Sequence, residues 1–212
     1  MIIAIDGPAA SGKGTVARAL AAHYRLPHLD TGLLYRAVGA AALEKAVSFD
    51  DVDALAALAA GLDLAALDAE ALRAGPIGEA ASRVAAVPAV RAQLLKLQQD
   101  FAHQPGGAIL DGRDIGTVIA PDADIKIFVT ATPEARATRR HKELTGRGET
   151  VGFEEVLADI AKRDQRDSER SSAPLVRAAD AILLDNTDFD RDTSIATALD
   201  MVARRLGGAA AW

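Results

Sequence analysis

The sequence predicts an α/β fold of three layers, a parallel β-sheet with helices on both faces. Three observations carry this. Short apolar runs of the kind buried in parallel sheets recur along the chain. Helical patterns separate most of them, as the βαβ alternation of a doubly wound sheet requires. The first run passes into a Gly-rich turn that opens the first helical pattern, Gly7-Pro8-Ala9-Ala10-Ser11-Gly12-Lys13-Gly14-Thr15. The 212 residues suffice for one α/β core with small inserts. Half are apolar and few are aromatic, a balance that suits a helix-rich globular protein.

Taken in order, Ile2-Ile3-Ala4-Ile5 is the first strand and residues 15–24 the first helix. Leu29-Asp30-Thr31-Gly32 leads into a second helical pattern at 33–45, with Thr31 placed to cap it. Residues 48–105 hold no convincing strand run. Their Ala-rich helical patterns, broken by Gly61, Gly75-Pro76 and Pro88, predict a helical insert. Ala108-Ile109-Leu110 and Ile125-Lys126-Ile127-Phe128-Val129 are the next strands, and residues 133–144 the next helix. The polar, Gly-rich stretch 145–152 reads equally as a mobile lid or a plain surface connection. A helix over 153–171, the strand Ala181-Ile182-Leu183-Leu184 and a helix over 194–206 complete the pattern. The terminal Gly-Gly-Ala-Ala-Ala-Trp is expected to fray. This divides the chain into a core of 1–30, 106–144 and 172–212, an insert of about 31–105, and a lid with its following helix at about 145–171.

Composition excludes several classes of function. Cysteine is absent, so there is neither a disulfide framework nor a thiolate metal site. The net charge of −6 argues against a nucleic-acid partner. The first strand begins at residue 2, which predicts no signal peptide, and no apolar run approaches a membrane span. The expectation is a soluble, cytoplasmic monomer with small-molecule partners.

Three segments carry the chemistry. A strand, a Gly-rich turn and a helix N-terminus make an anion pocket, with backbone N–H groups and the helix dipole as its positive lining. In Gly7 to Thr15, the glycines allow close approach to phosphate oxygens, Lys13 supplies a mobile charge, and the Thr15 hydroxyl can ligate Mg²⁺. The alternative is a Gly-rich turn that binds nothing. Ligands of such sheets bind beyond the carboxyl ends of the strands. There Asp111-Gly112-Arg113-Asp114 ends a strand that should be buried, where charge is costly unless a ligand, metal or partner uses it. Asp111 is placed to orient Mg²⁺-bound water. The plain alternative is a local Arg–Asp pair closing a turn. Arg163, Asp164, Arg166, Asp167 and Arg170 form the third cluster, with 163, 166, 167 and 170 on one helical face. It is either a salt-bridged solvated helix or a stripe of guanidinium groups aimed at phosphates. His23, His28, His103 and His141 have no metal-ligand spacing and read as non-catalytic.

Together and in this order, these segments resemble the bacterial cytidylate kinase family. The residues that carry the resemblance are Ile5-Asp6-Gly7-Pro8 with Gly12-Lys13-Gly14-Thr15, Leu29-Asp30-Thr31-Gly32 with Tyr35-Arg36, Asp111-Gly112-Arg113-Asp114-Ile115-Gly116-Thr117, and Arg163 through Arg170 to Ala173-Pro174-Leu175. The resemblance implies a P-loop NTPase-type fold, with the insert binding the nucleoside monophosphate, and transfer of the ATP γ-phosphoryl group to CMP or dCMP with Mg²⁺. It implies Gly7 to Thr15 as the ATP site, Mg²⁺ at Thr15 with Asp111 acting through water, and Lys13, Arg113, Arg163 and Arg170 as the catalytic set. Arg36, Arg113 and Arg170 would grip the acceptor phosphate. Thr31, Arg91 and Asp114 would read the cytosine edge, and Ser82, Arg163 and Asp167 would contact the sugar. One stretch departs from the family: residues 63–72 are short, Ala-rich and helix-like where relatives carry a longer insert with a small antiparallel sheet. Alternatives are a kinase for another small acceptor (UMP, shikimate or dephospho-coenzyme A) or a nucleotide-dependent regulatory ATPase. A GTPase switch is disfavoured, because no Asn-Lys-x-Asp guanine-reading motif is present.

Overall fold

The computed structural model describes residues 1–63, 67–73 and 75–209. Five strands form one sheet: β1 (Ile2–Asp6), β2 (His28–Asp30), β3 (Ala108–Gly112), β4 (Ile125–Thr130) and β5 (Ile182–Asp185). Their order is β2-β3-β1-β4-β5, and every neighbouring pair is parallel. The eight α-helices among the described residues are α1 (Lys13–Tyr24), α2 (Thr31–Glu44), α3 (Val52–Ala60), α4 (Gly75–Val84), α5 (Pro88–Ala102), α6 (Pro133–Gly146), α7 (Phe153–Glu169) and α8 (Arg191–Ala209). Among the described residues no helix is long and apolar enough to cross a membrane.

Strand pleating explains the two cores around the sheet. Successive residues of β1 point to opposite faces. Ile3 and Ile5 pack with Val16, Leu20, Ile127, Ala198 and Val202 under α1 and α8. Ala4 points the other way, into Leu110, Ile115, Ile119 and Ala102 of α5. Two further cores lie beyond the sheet. Leu34, Val38, Leu55, Ala81, Val84, Val90 and Leu94 join α2 through α5. Ala137, Leu144, Val156 and Ile160 join α6 to α7.

Four expectations need correction. The sequence reading had no strand at 28–30, and β2 forms there. A three-residue strand is too short for a pattern to reveal, and its place comes from pairing along β3, with Asp30 beside Asp111. The Thr31 hydroxyl does not cap α2: Asp30 does, accepting from Gly32 N at 3.1 Å. The helix-like stretch 63–72 is helical, in its described part, only in the 3₁₀ turn Ala71–Arg73, while residues 64–66 lie outside the described residues. Of the terminal residues 207–212, expected to fray, α8 takes in 207–209, and 210–212 lie outside the described residues.

Candidate active site

The phosphate-loop segment joins β1 to α1. A Cβ at Gly7 would sit 2.0 Å from the Val129 carbonyl oxygen on β4, so only glycine fits. Gly12 takes φ +95° just before α1, and no side chain caps the helix there. The helix begins with Thr15 N and Val16 N both turned toward Gly12 O. The loop carbonyls are held by donors from several elements. Pro8 O accepts from Lys13 Nζ (3.2 Å), Ala9 O from Arg136 Nη1 (3.3 Å), and Ser11 O from Asn186 Nδ2 (3.2 Å) and Arg139 Nη1 (3.4 Å). These contacts pin the loop backbone. Burial, and then the charge of Arg113, push the Lys13 ammonium down to about 7.

Strand register brings two carboxylates beside this loop. Asp30 and Asp111 end neighbouring strands as direct partners. Burial, and then Asp111, raise the Asp30 carboxyl above its ordinary value. Asp111 is buried, and its Oδ1 lies 2.7 Å from His28 Nε2 on β2. A Cβ at Gly14 would lie 3.6 Å from Asp111 Oδ2, so this carboxylate faces the first turn of α1. Crowded carboxylates near Thr15 suit a hard cation. Among the described residues no three His, Cys, Asp or Glu side chains form a metal cage. The Thr31 hydroxyl donates to Asp111 O at 2.9 Å, joining the start of α2 to the end of β3.

The Arg113 and Asp114 side chains of the Asp111-Gly112-Arg113-Asp114 turn pair with distant elements, although Arg113 Nη1 also donates to Gly112 O at 3.3 Å. Arg113 Nε donates to Asp167 Oδ2 of α7 at 2.7 Å. Burial alone would raise Asp167, but the Arg113 charge and hydrogen bond hold it below the ordinary carboxylate value. Arg91 Nη2 of α5 donates to Asp114 Oδ2, and Arg170 Nη2 lies 3.4 Å from Asp114 Oδ1. Arg91 also sits over the Tyr35 ring, 5.5 Å from its centroid. Arg36 Nη1 donates to Leu72 O at 2.9 Å, so α2 leans on the turn at 71–73. Arg163 is half-buried, with its Nε atom buried and unpartnered among the described residues, and desolvation followed by the Arg113 charge pushes its guanidinium down to about 10. Arg36, Arg91, Arg113, Arg163 and Arg170 thus converge on one cleft, with Asp114 and Asp167 among their partners.

Every candidate residue except Gly7 and Pro8 lines one cleft of about 310 Å³. Arg166, expected on the same face as Arg163, Asp167 and Arg170, does not line it and turns to α4 instead. Asp164 turns the opposite way, to a bidentate pair with Arg136 at 2.9 and 2.6 Å. Sequence reading missed four participants. Asp30 and Arg140 line the cleft, His28 braces Asp111, and Asn186 braces the phosphate loop. Arg140 had a signal, standing just before the polar stretch that begins at 145. His28 and Asn186 had none, because their partners lie 83 and 175 residues away.

Comparison with known proteins agrees with this geometry. A profile of the cytidylate kinase family matches residues 3–204. A cytidylate kinase of Xanthobacter autotrophicus is 63% identical over 208 residues, covering 98% of this chain and all of the relative. That of Azorhizobium caulinodans is 60% identical over 207 residues, with coverage of 98% and 100%. That of Brucella suis is 54% identical over 206 residues, covering 97% of this chain and 94% of the relative. With a phosphate loop, an arginine-lined cleft and a match along nearly the whole chain, the chain belongs to the cytidylate kinase family.

Proposed function

We propose that this protein transfers the γ-phosphoryl group of ATP to CMP or dCMP, giving ADP and CDP or dCDP, with Mg²⁺. One observation carries the reading: the phosphate loop and the Arg91–Asp114 pair open on the same cleft. One end suits the phosphates of a donor nucleotide, and the other suits the edge of a base.

Residues 7–15 wrap the ATP phosphates, and Lys13 reaches the β- and γ-oxygens. Its low folded-state value reflects a buried cation without enough negative charge around it, which phosphate oxygens supply. Arg36, Arg113 and Arg170 grip the acceptor phosphate. An oxygen of that phosphate attacks the γ-phosphorus in line, and the bond to the β–γ bridging oxygen breaks to release ADP. The acceptor phosphate is mostly dianionic at neutral pH, so no protein base is needed. Catalysis is positioning and charge neutralisation by Lys13, Arg113, Arg163 and Arg170. The Thr15 hydroxyl, and Asp111 through water, would hold Mg²⁺, which would supply charge neutralisation at the donor phosphates.

Base choice follows from donors and acceptors. Cytosine offers an N4 amino donor with N3 and O2 acceptors. Asp114 accepts from N4, and Arg91 donates to N3 and O2, with Thr31 beside them. Uracil presents O4 and N3–H instead, which would leave the buried pair facing unmatched groups. Ser82, Arg163 and Asp167 take the sugar. The insert carries the acceptor, and the stretch 145–152 with α7 covers the transferring phosphoryl group against water. A coupled assay with ATP and each nucleoside monophosphate tests this. Rapid turnover confined to CMP and dCMP is expected. Turnover favouring another acceptor, or slow ATP hydrolysis indifferent to all of them, would overturn it.

A further inference from the structure

Arg166 departs from the pattern of its helix. Arg163, Asp167 and Arg170 line the cleft, while Arg166 crosses from α7 to α4 of the insert. Its Nη2 donates to Glu79 Oε1 (2.8 Å), and its Nη1 donates to Glu79 Oε2 (3.2 Å) and to Ser82 Oγ (2.5 Å). Lys162 Nζ, one turn earlier, lies 3.7 Å from the same Glu79 Oε1. Glu79 holds the flat guanidinium in register, and Nη1 is also aimed at the Ser82 hydroxyl.

Hydrogen-bond direction then decides what Ser82 can do. A guanidinium has donors and no acceptor, and a hydroxyl has one proton and two lone pairs. The Arg166 N–H takes a lone pair of Ser82 Oγ, so the Ser82 proton must go elsewhere. Among the described residues no hydrogen bond uses that proton. Ser82 is almost fully buried and lines the cleft. We propose that Arg166 is a positioning residue for the acceptor nucleotide, fixing the Ser82 hydroxyl as a donor toward a sugar oxygen of the bound nucleoside monophosphate. It couples the helix after the 145–152 stretch to the acceptor site, without itself touching substrate. The inference rests on the acceptor reading above.

The test uses steady-state kinetics of the full chain with CMP, dCMP and ATP each varied. Wild-type turnover with CMP is measured first. Its absence would sink the acceptor reading and is distinct from any variant effect. Arg166→Ala is expected to raise KM for CMP and dCMP roughly 10-fold, leave KM for ATP within about 2-fold, and change kcat less than KM. Ser82→Ala should act in the same direction. The double variant should be no worse than the more impaired single one, because both act through one hydrogen bond. Arg166→Lys should fall between wild type and Ala, since an ammonium cannot reproduce the fork. Glu79 is 46% exposed, so Glu79→Gln keeps the fold and should raise KM for CMP even if Arg166→Ala folds poorly. A merely structural contact would move both substrates' KM together. That result, an unchanged KM for CMP in folded Arg166→Ala or Glu79→Gln, or multiplicative effects in the double variant, would overturn the proposal.

Discussion

Asp114 is held by two arginines, Arg91 of α5 and Arg170 just past the end of α7. Removing one partner of a buried pair strands the others, so truncation would confuse selectivity with stability. Asp114→Asn keeps the volume and replaces one acceptor with a donor. It is expected to narrow the preference for CMP over UMP by roughly 10-fold or more, because uracil O4 can then be matched. Selectivity unchanged in a folded protein would remove Asp114 from base reading. Lys13 is a simpler case. Its charge sits among Arg113, Asp111 and Asp30, and Lys13→Ala leaves the apolar cores untouched. Turnover should fall roughly 100-fold or more with the melting midpoint little changed, and near-normal turnover would dissociate the phosphate loop from the chemistry. Both residues were legible in the sequence, since charge beside glycine at a strand end has few other uses. His28 was not: its meaning depends wholly on lying 2.7 Å from Asp111.

Between elements, α2 and α4 cross closely at Gly39. A Cβ at Gly39 would lie 2.9 Å from Ala81 N and 3.0 Å from Ala80 Cβ, close enough that backbone must move. This joint carries Tyr35 and Arg36 on one side and Ser82 on the other. Gly39→Val is therefore expected to cost about 2 kcal/mol of stability by overpacking. It should also raise KM for the acceptor more than KM for ATP, because the joint belongs to the insert. Kinetics and thermal unfolding of that variant check both claims, and an unchanged acceptor KM would show that the joint tolerates the shift. The helices meeting here were readable from their patterns, whereas the closeness of their approach was not, since an isolated Gly in a helix can mean several things.

Across the whole molecule, buried carboxylates set opposing pH dependences. Asp6, at the end of β1, accepts from Ile115 N and Gly116 N, both at 2.8 Å. Burial outweighs these bonds and pushes it up to about 6. A raised folded-state value contributes stability that is complete below the unfolded value of 3.8 and lost as pH rises through about 6. The shift corresponds to about 3 kcal/mol. Asp167 runs the other way: its contribution is present above the ordinary carboxylate value and lost as pH falls through its depressed one. The Asp6 carboxyl carbon should titrate near pH 6 by NMR. A midpoint near 4 would mean that the two backbone donors outweigh burial.

The sequence by itself determined the alternation of strands and helices, the phosphate loop, the charged end of β3 and the family. Each of these is written in contiguous residues whose spacing has a local cause. Tertiary structure decided the rest. It placed β2 by register along β3, gave the cap of α2 to Asp30, and turned Arg113 Nε toward Asp167 of α7. It also resolved the arginine face of α7. Spacing put Arg163, Arg166 and Arg170 together, but a helix face can be divided between two neighbours. Only the position of α4 turned Arg166 away from the cleft, onto Glu79 and Ser82. Pairings that span 54 to 175 residues leave no periodic trace, because they depend on where the sheet and the helical cores bring separate elements to the same edge.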